Sequence, residues 1–193
     1  MPSNIDGETE PGNINDPDSV YTTKIHINKK ILSSSTQEYI ASTIIHEAVH
    51  AYIRYCQHQV QNGYMDTTKF KNLFPLFWPP RIAYVGGGTN YYSIGSSVQH
   101  QVMASNLIYT MTQPLINLFP NPGISPSMRD SIYTALSWGG LISTPAFYAH
   151  PDTLFIHAMN EMARDTSIHA PFQFNGVSFQ YDSHNLNLVP GCQ

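Results

Sequence analysis

Charge is what this sequence has least of. Only 11% of its 193 residues are Asp, Glu, Lys or Arg, against about 25% in an average soluble domain. Nine Lys and Arg face thirteen Asp and Glu, a net charge of −4 with His neutral. The nine cations are scattered, so no basic cluster offers itself to a run of phosphates, which excludes nucleic acid as a partner. Asn, Gln, Ser, Thr and Tyr stand in for surface charge, a composition that leans towards an exported protein. Long apolar runs are missing too: the longest, near Leu73 to Pro80, is broken by prolines and falls far short of the ~20 residues a membrane span needs. The N-terminus lacks the basic, then apolar, then small-residue order of a signal peptide. Cysteine is nearly absent, and Cys56 and Cys192 are compatible with one staple or with two free thiols.

What is present suits a globular chain: 41% hydrophobic and 12% aromatic residues, enough for one buried core. Residues 1–19, polar and rich in Pro, Gly, Asn and Asp, read as a disordered leader, and residues 20–193 as a single domain. From Val20 to Ile27 the apolar residues alternate with polar ones, which predicts a half-buried strand, and Asn28-Lys29-Lys30 then turns the chain. Ser35-x-x-Glu38 fits a capping box for a helix over residues 36–61 that stops at Gly63. Ala41, Ile45, Val49, Tyr52, Cys56 and Val60 make its apolar stripe. Residues 64–80 predict a short helix and an aromatic, Pro-rich loop, residues 81–85 a strand, and Gly86-Gly87-Gly88 a mobile loop. No Lys-Ser/Thr follows those glycines, so they are a poor phosphate cradle. A second long helix is expected from Ser96 or Ser97 to Phe119, bent at Pro114. A third opens at Ser125-Pro126 and closes at Gly139-Gly140, and a fourth runs from Asp152 to Asp165. Asn175-Gly176 between Phe172-Gln173-Phe174 and Val177-Ser178-Phe179 marks a hairpin. The fold class is therefore α+β, mainly α: a small sheet beside one long helix, further packed helices and a C-terminal β-hairpin.

The first long helix carries the chemistry. Ile44-Ile45-His46-Glu47-Ala48-Val49-His50-Ala51-Tyr52 reads H-E-x-x-H inside an apolar helical run. Residues four apart lie about 40° apart around a helix, so both imidazoles reach one metal ion. Glu47, on the flank of that face, is placed as the general base that deprotonates a zinc-bound water. A catalytic zinc takes three protein ligands and keeps one position open. His58 cannot be the third, since eight residues carry it roughly 12 Å along the same helix from His50. Two candidates remain: His100, on the next long helix, and Glu161, in Asn160-Glu161-Met162-Ala163-Arg164-Asp165. His100 is favoured, because neighbouring helices are where such sites assemble. His150, His157, His169 and His184 read as loop or surface histidines. Tyr91, Tyr92 and Tyr148 are candidates for stabilising an oxyanion.

The ten residues from Thr43 to Tyr52 resemble the active helix of SprT-like zinc metallopeptidases and, more broadly, of zincins. The strand-before-helix order extends the resemblance to about forty residues. It implies a zincin-like fold, zinc on His46 and His50, Glu47 as general base, and a preceding strand whose edge holds an extended peptide or protein substrate. That group's third-histidine segment, zinc ribbon and basic surface are absent here, so its role on DNA is not implied. Zinc-dependent peptide hydrolysis is the expected activity. The alternatives are a catalytically inactive zincin-like binding module, and the same peptidase chemistry in a secreted effector.

Overall fold

A long helix, contacted by a short hairpin and by four later helices, sets the plan of the molecule in the computed structural model. The structure describes residues 5–10, 12, 21–75, 82–85, 88–91, 96–121, 123–167, 172–174, 177–182 and 185–189. Strand β1 (Gly7–Glu10) pairs antiparallel with β2 (Lys24–Ile27), Gly7 opposite Ile27 and Thr9 opposite Ile25. Helices α1 (Lys29–Ser34), α2 (Gln37–Gln61) and α3 (Thr67–Leu73) follow. The hairpin β3 (Ile82–Val85) and β4 (Gly88–Tyr91) leads to α4 (Ser96–Val102), a π-helical segment over Met103–Leu107, and α5 (Ile108–Leu118). Then come α6 (Pro126–Ser137), α7 (Pro145–Tyr148) and α8 (Thr153–Arg164). The strands β5 (Phe172–Phe174), β6 (Val177–Asp182) and β7 (Asn185–Val189) form a three-stranded antiparallel sheet. The architecture is α+β and mainly α. No described helix is long and apolar enough to cross a membrane.

The expected leader is corrected at residues 7–10. A strand without apolar side chains forms there because its hydrogen bonds, not its burial area, are satisfied: β2 pairs one edge, and Thr9 reaches α2. β1 makes the closer approach to α2, and β2 is correspondingly shorter and more exposed than the Val20–Ile27 alternation predicts, with Ile25 38% exposed. Asn28 does not simply turn the chain. Its Oδ1 accepts from Lys30 N at 3.0 Å and caps α1.

Helix α2 starts one residue later than expected. Thr36, not Ser35, is the N-cap, accepting from Tyr39 N at 3.1 Å. Ser35 instead donates to Arg164 O at 2.6 Å, and Thr36 N donates to Ala163 O at 2.8 Å, so the start of α2 satisfies carbonyls at the end of α8. At the far end Gly63 takes φ +74° beyond the Asn62 C-cap, as a left-handed C′ residue should. The buried face is rotated from the predicted apolar stripe: Tyr52 is 48% exposed, and the line of burial runs through Tyr39, Ser42, His46, His50, Ile53, Gln57 and Val60. The histidines lie within the buried stripe. Below them the core gathers Ile53 and Cys56 of α2, Met111 and Leu115 of α5, Ile132 and Leu136 of α6, and Ile156 and Met159 of α8. Cys56 is buried and free; Cys192 lies outside the described residues.

Glu38, in the first turn of α2, is 6% exposed, and its Oε2 has no hydrogen-bond partner. Burial pushes its carboxyl above the usual carboxylate range, only partly offset by bonds from its own backbone and Thr36. A raised folded-state pKa means that the fold disfavours the ionised form, so this residue destabilises at neutral pH and ceases to do so as pH falls through the carboxylate range. Glu38→Gln is expected to stabilise by about 1 kcal/mol at pH 7, with the gain fading in acid, as urea melts across pH will register.

The second long helix is interrupted at Met103–Leu107, not at Pro114, which sits inside α5. A π-helical turn admits one extra residue, and here it lets Val102, Met103 and Ala104 all face inward consecutively. The third and fourth helices match expectation: Ser125 caps α6, accepting from Met128 N, and Trp138 and Gly140 (φ +77°) close it. Phe174 stands opposite Val177 across β5 and β6, the register that a two-residue hairpin requires. The turn residues 175 and 176, like 86, 87 and the loop at 76–81, lie outside the described residues. Gly88 belongs to β4.

Candidate metal centre

His46, His50 and His100 bring one ring nitrogen each to within 4.8 Å of one another. Their ring centroids are 4.8, 4.9 and 5.2 Å apart. Two come from α2, one helical turn apart, and the third from α4. Glu161, the alternative ligand, is exposed on α8 and outside this group. Its neighbour Asn160 contributes instead: buried, it donates to Ala135 O at 2.7 Å and to Ile156 O at 2.9 Å, tying α8 to the end of α6. Arg164 grips Asp6, Nε to Oδ2 at 2.9 Å and Nη2 to Oδ1 at 3.0 Å. Tyr39 donates to the same Asp6 at 2.8 Å.

The chemistry of the donor set fits a zinc ion. Nε2 of His46 and Nε2 of His50 are 3.1 Å apart, close to the ~3.3 Å that two nitrogens subtend on a tetrahedral zinc. The orientation of His50 is fixed from behind: its Nδ1 donates to Gln99 Oε1 at 2.7 Å, which leaves Nε2 as the lone-pair nitrogen. Gln99 is 0% exposed, so that amide is itself held by packing. His46 Nδ1, the ring nitrogen that does not face His50, is buried without a hydrogen-bond partner, and a small shift of the Gly139 main chain satisfies it. All three imidazoles are held neutral, the state in which they ligate metal. Burial pushes His46 well below its usual range, helped by His50 and His100 and opposed by the Gly139 backbone. His50 falls to about 4 through burial, against the Gln99 bond, and His100 is lowered by burial.

Glu47 lies beside this triad, 5% exposed. Thr9 Oγ1 donates to its Oε2 at 2.7 Å. Burial raises its carboxyl, while the Thr9 bond and the Arg54 charge oppose that rise and Glu8 adds to it. The four residues share a cavity of about 460 Å³ with Ile5–Thr9, Tyr39, Arg54, Gly139 and Gly140. Sequence reasoning missed Thr9, Arg54 and Gln99. Arg54 had a signal, since 46, 50 and 54 repeat at one-turn spacing on α2.

Of the oxyanion candidates, Tyr148 is 73% exposed and outside the cavity, and the Tyr91 side chain and Tyr92 lie outside the described residues; among the described residues Arg54 is the cation that lines the site. His58 is fully buried against the Tyr21 ring, apart from the triad. His150 packs edge-on against Trp138, and His157 is exposed; His169 and His184 lie outside the described residues.

Gly140 lets the main chain approach the triad closely. A Cβ there would stand 2.9 Å from His46 Cε1 and 3.3 Å from Nε2, at a φ of +77° that L-residues rarely adopt. Gly140→Ala is expected to turn the His46 ring out of place and weaken zinc binding by about 10- to 100-fold, the cost of losing a ligand's orienting surroundings; zinc titration calorimetry measures it.

No family model, no curated protein and no solved structure matches the chain.

Proposed function

We propose that this protein is a zinc-dependent peptidase of zincin type, hydrolysing peptide bonds in a peptide or protein substrate. One observation carries the reading: three neutral imidazoles from two helices converge in the same cavity as a buried carboxylate that is not one of the three. His46, His50 and His100 would hold the ion and leave its remaining position to water and substrate. Zinc in such a site supplies Lewis acidity, making a water easier to deprotonate and a carbonyl easier to attack.

The chain supplies the rest. Glu47, raised above an ordinary carboxylate by burial, is suited to accept a proton from water and to return it to the leaving amine. Arg54 places a positive charge in the cavity, where it offsets negative charge developing on a substrate oxygen. The half-enclosed setting keeps these groups partly desolvated, which strengthens each interaction.

A proteome-derived peptide library tests the proposal. Cleavage that a chelator abolishes and added zinc restores supports it. Full zinc occupancy with no cleavage favours a binding module built on the same site.

A further inference from the structure

Strand β1 contributes no apolar side chain, yet it lies against the carboxylate set between the two helix histidines. Thr9, 4% exposed, holds Oγ1 2.7 Å from Glu47 Oε2 and 2.9 Å from the Glu47 main-chain oxygen. A hydroxyl has one proton to donate, and a carboxylate is the stronger acceptor, so the shorter contact takes it. Arg54 Nη1, farther along α2, donates to the main-chain oxygen of the same Thr9, fastening the strand to the helix at that residue. Two residues earlier on the same face, Gly7 lets β1 approach closely: a Cβ there would stand 2.8 Å from Glu47 Cγ and 3.0 Å from Oε1. The strand is therefore seated on Glu47 by a donor, a clamp and a missing side chain. The Thr9 main chain also acts on the carboxyl, and among the described residues no side chain donates to Oε1, the hydroxyl bond going to Oε2.

We propose that Thr9 is a positioning residue for Glu47, fixing the carboxylate through Oε2 so that Oε1 is the oxygen free to exchange a proton with water. The inference rests on the reading of Glu47 as general base. It makes residues 7–10 part of the active site, although they precede the histidine helix by some thirty residues. A freely rotating carboxylate would sample several rotamers; one held at Oε2 presents the other oxygen in a single direction, which is the entropy that a catalytic site gains by preorganisation.

The test uses the zinc-loaded full chain as wild type, Thr9→Val and Thr9→Ser, with steady-state kinetics, zinc content and crystal structures. Valine keeps the shape and strand preference of threonine and removes only the donor. The expected result is a kcat lower by about 100-fold in Thr9→Val, the cost of a misplaced reacting group, with KM within twofold, zinc content unchanged, and serine restoring most of kcat. An unchanged kcat in Thr9→Val, or loss of its zinc, overturns the proposal. If the wild type cleaves nothing, the peptidase reading fails and the crystal structures decide positioning separately. Glu47 turned away in Thr9→Val and in place in Thr9→Ser upholds it; Glu47 unmoved in Thr9→Val overturns it. Should the valine variant not fold, Thr9→Ala removes the same donor and carries the same readouts.

Discussion

Glu47→Gln is expected to lower peptide cleavage by about 1,000-fold, within the range that a positioned general base contributes, while its zinc content equals that of wild type. Glutamine keeps the length and branching of the side chain, and its amide oxygen can still accept from Thr9 Oγ1, which lies 2.7 Å from Glu47 Oε2. What it loses is the capacity to take a proton. Because burial raises the Glu47 carboxyl, removing its charge relieves a desolvation penalty, so the variant should melt no lower than wild type. Activity and stability therefore move in different directions, and that divergence separates a chemical role from a structural one. A variant that cleaves at the wild-type rate with zinc bound would rule out Glu47 as the base.

The histidine pair was legible because helical spacing is rigid: residues 46 and 50 of any α-helix face the same way. His100 was legible only as a choice between two later helices, since the sequence does not say how far a chain turns between elements. What turned it is the π-helical segment Met103–Leu107, whose extra residue resets the facing of α4 against α5. A single inserted residue changes the facing by about 100° and leaves no compositional trace. The N-terminal strand was missed for a different reason. Its sequence, Gly-Glu-Thr-Glu, has the period-2 alternation of a strand, but with glycine and threonine in place of apolar residues on the inner face. Hydrophobic patterning detects burial that is driven by area. It does not detect a strand held by one hydroxyl, one guanidinium and a close glycine contact. The Asn160-Glu161 segment shows the converse: Glu161 lies exposed outside the group of three histidines, and its neighbour Asn160 ties α8 to α6 just before the Gly139-Gly140 turn at His46.

Removing the third imidazole should have the second large effect. His100→Ala is expected to weaken zinc binding by more than 100-fold, beyond the loss that follows removal of a ligand's orienting partner, and Glu161→Ala to leave it unchanged. The two substitutions differ in cost for a physical reason. Glu161 is exposed on α8, whereas His100 completes a ring of three nitrogens that otherwise has only the 3.1 Å pair of His46 and His50. Two imidazoles hold a divalent ion weakly, because water must fill the remaining positions and the second anchoring helix no longer takes part. The comparison is best made by thermal melts with and without zinc alongside metal content. A ligand that binds only the folded state stabilises it by RT ln(1 + [L]/Kd), so zinc should raise the melting temperature of wild type and Glu161→Ala by the same amount and barely move that of His100→Ala. The metal-free melts provide the control: His100 is half-buried and its imidazole is neutral, so its truncation leaves no stranded charge, and the apo variant should melt within a few degrees of apo wild type. A zinc-induced shift that survived in His100→Ala and vanished in Glu161→Ala would move the third ligand to α8 and dismantle the triad on which the peptidase reading stands.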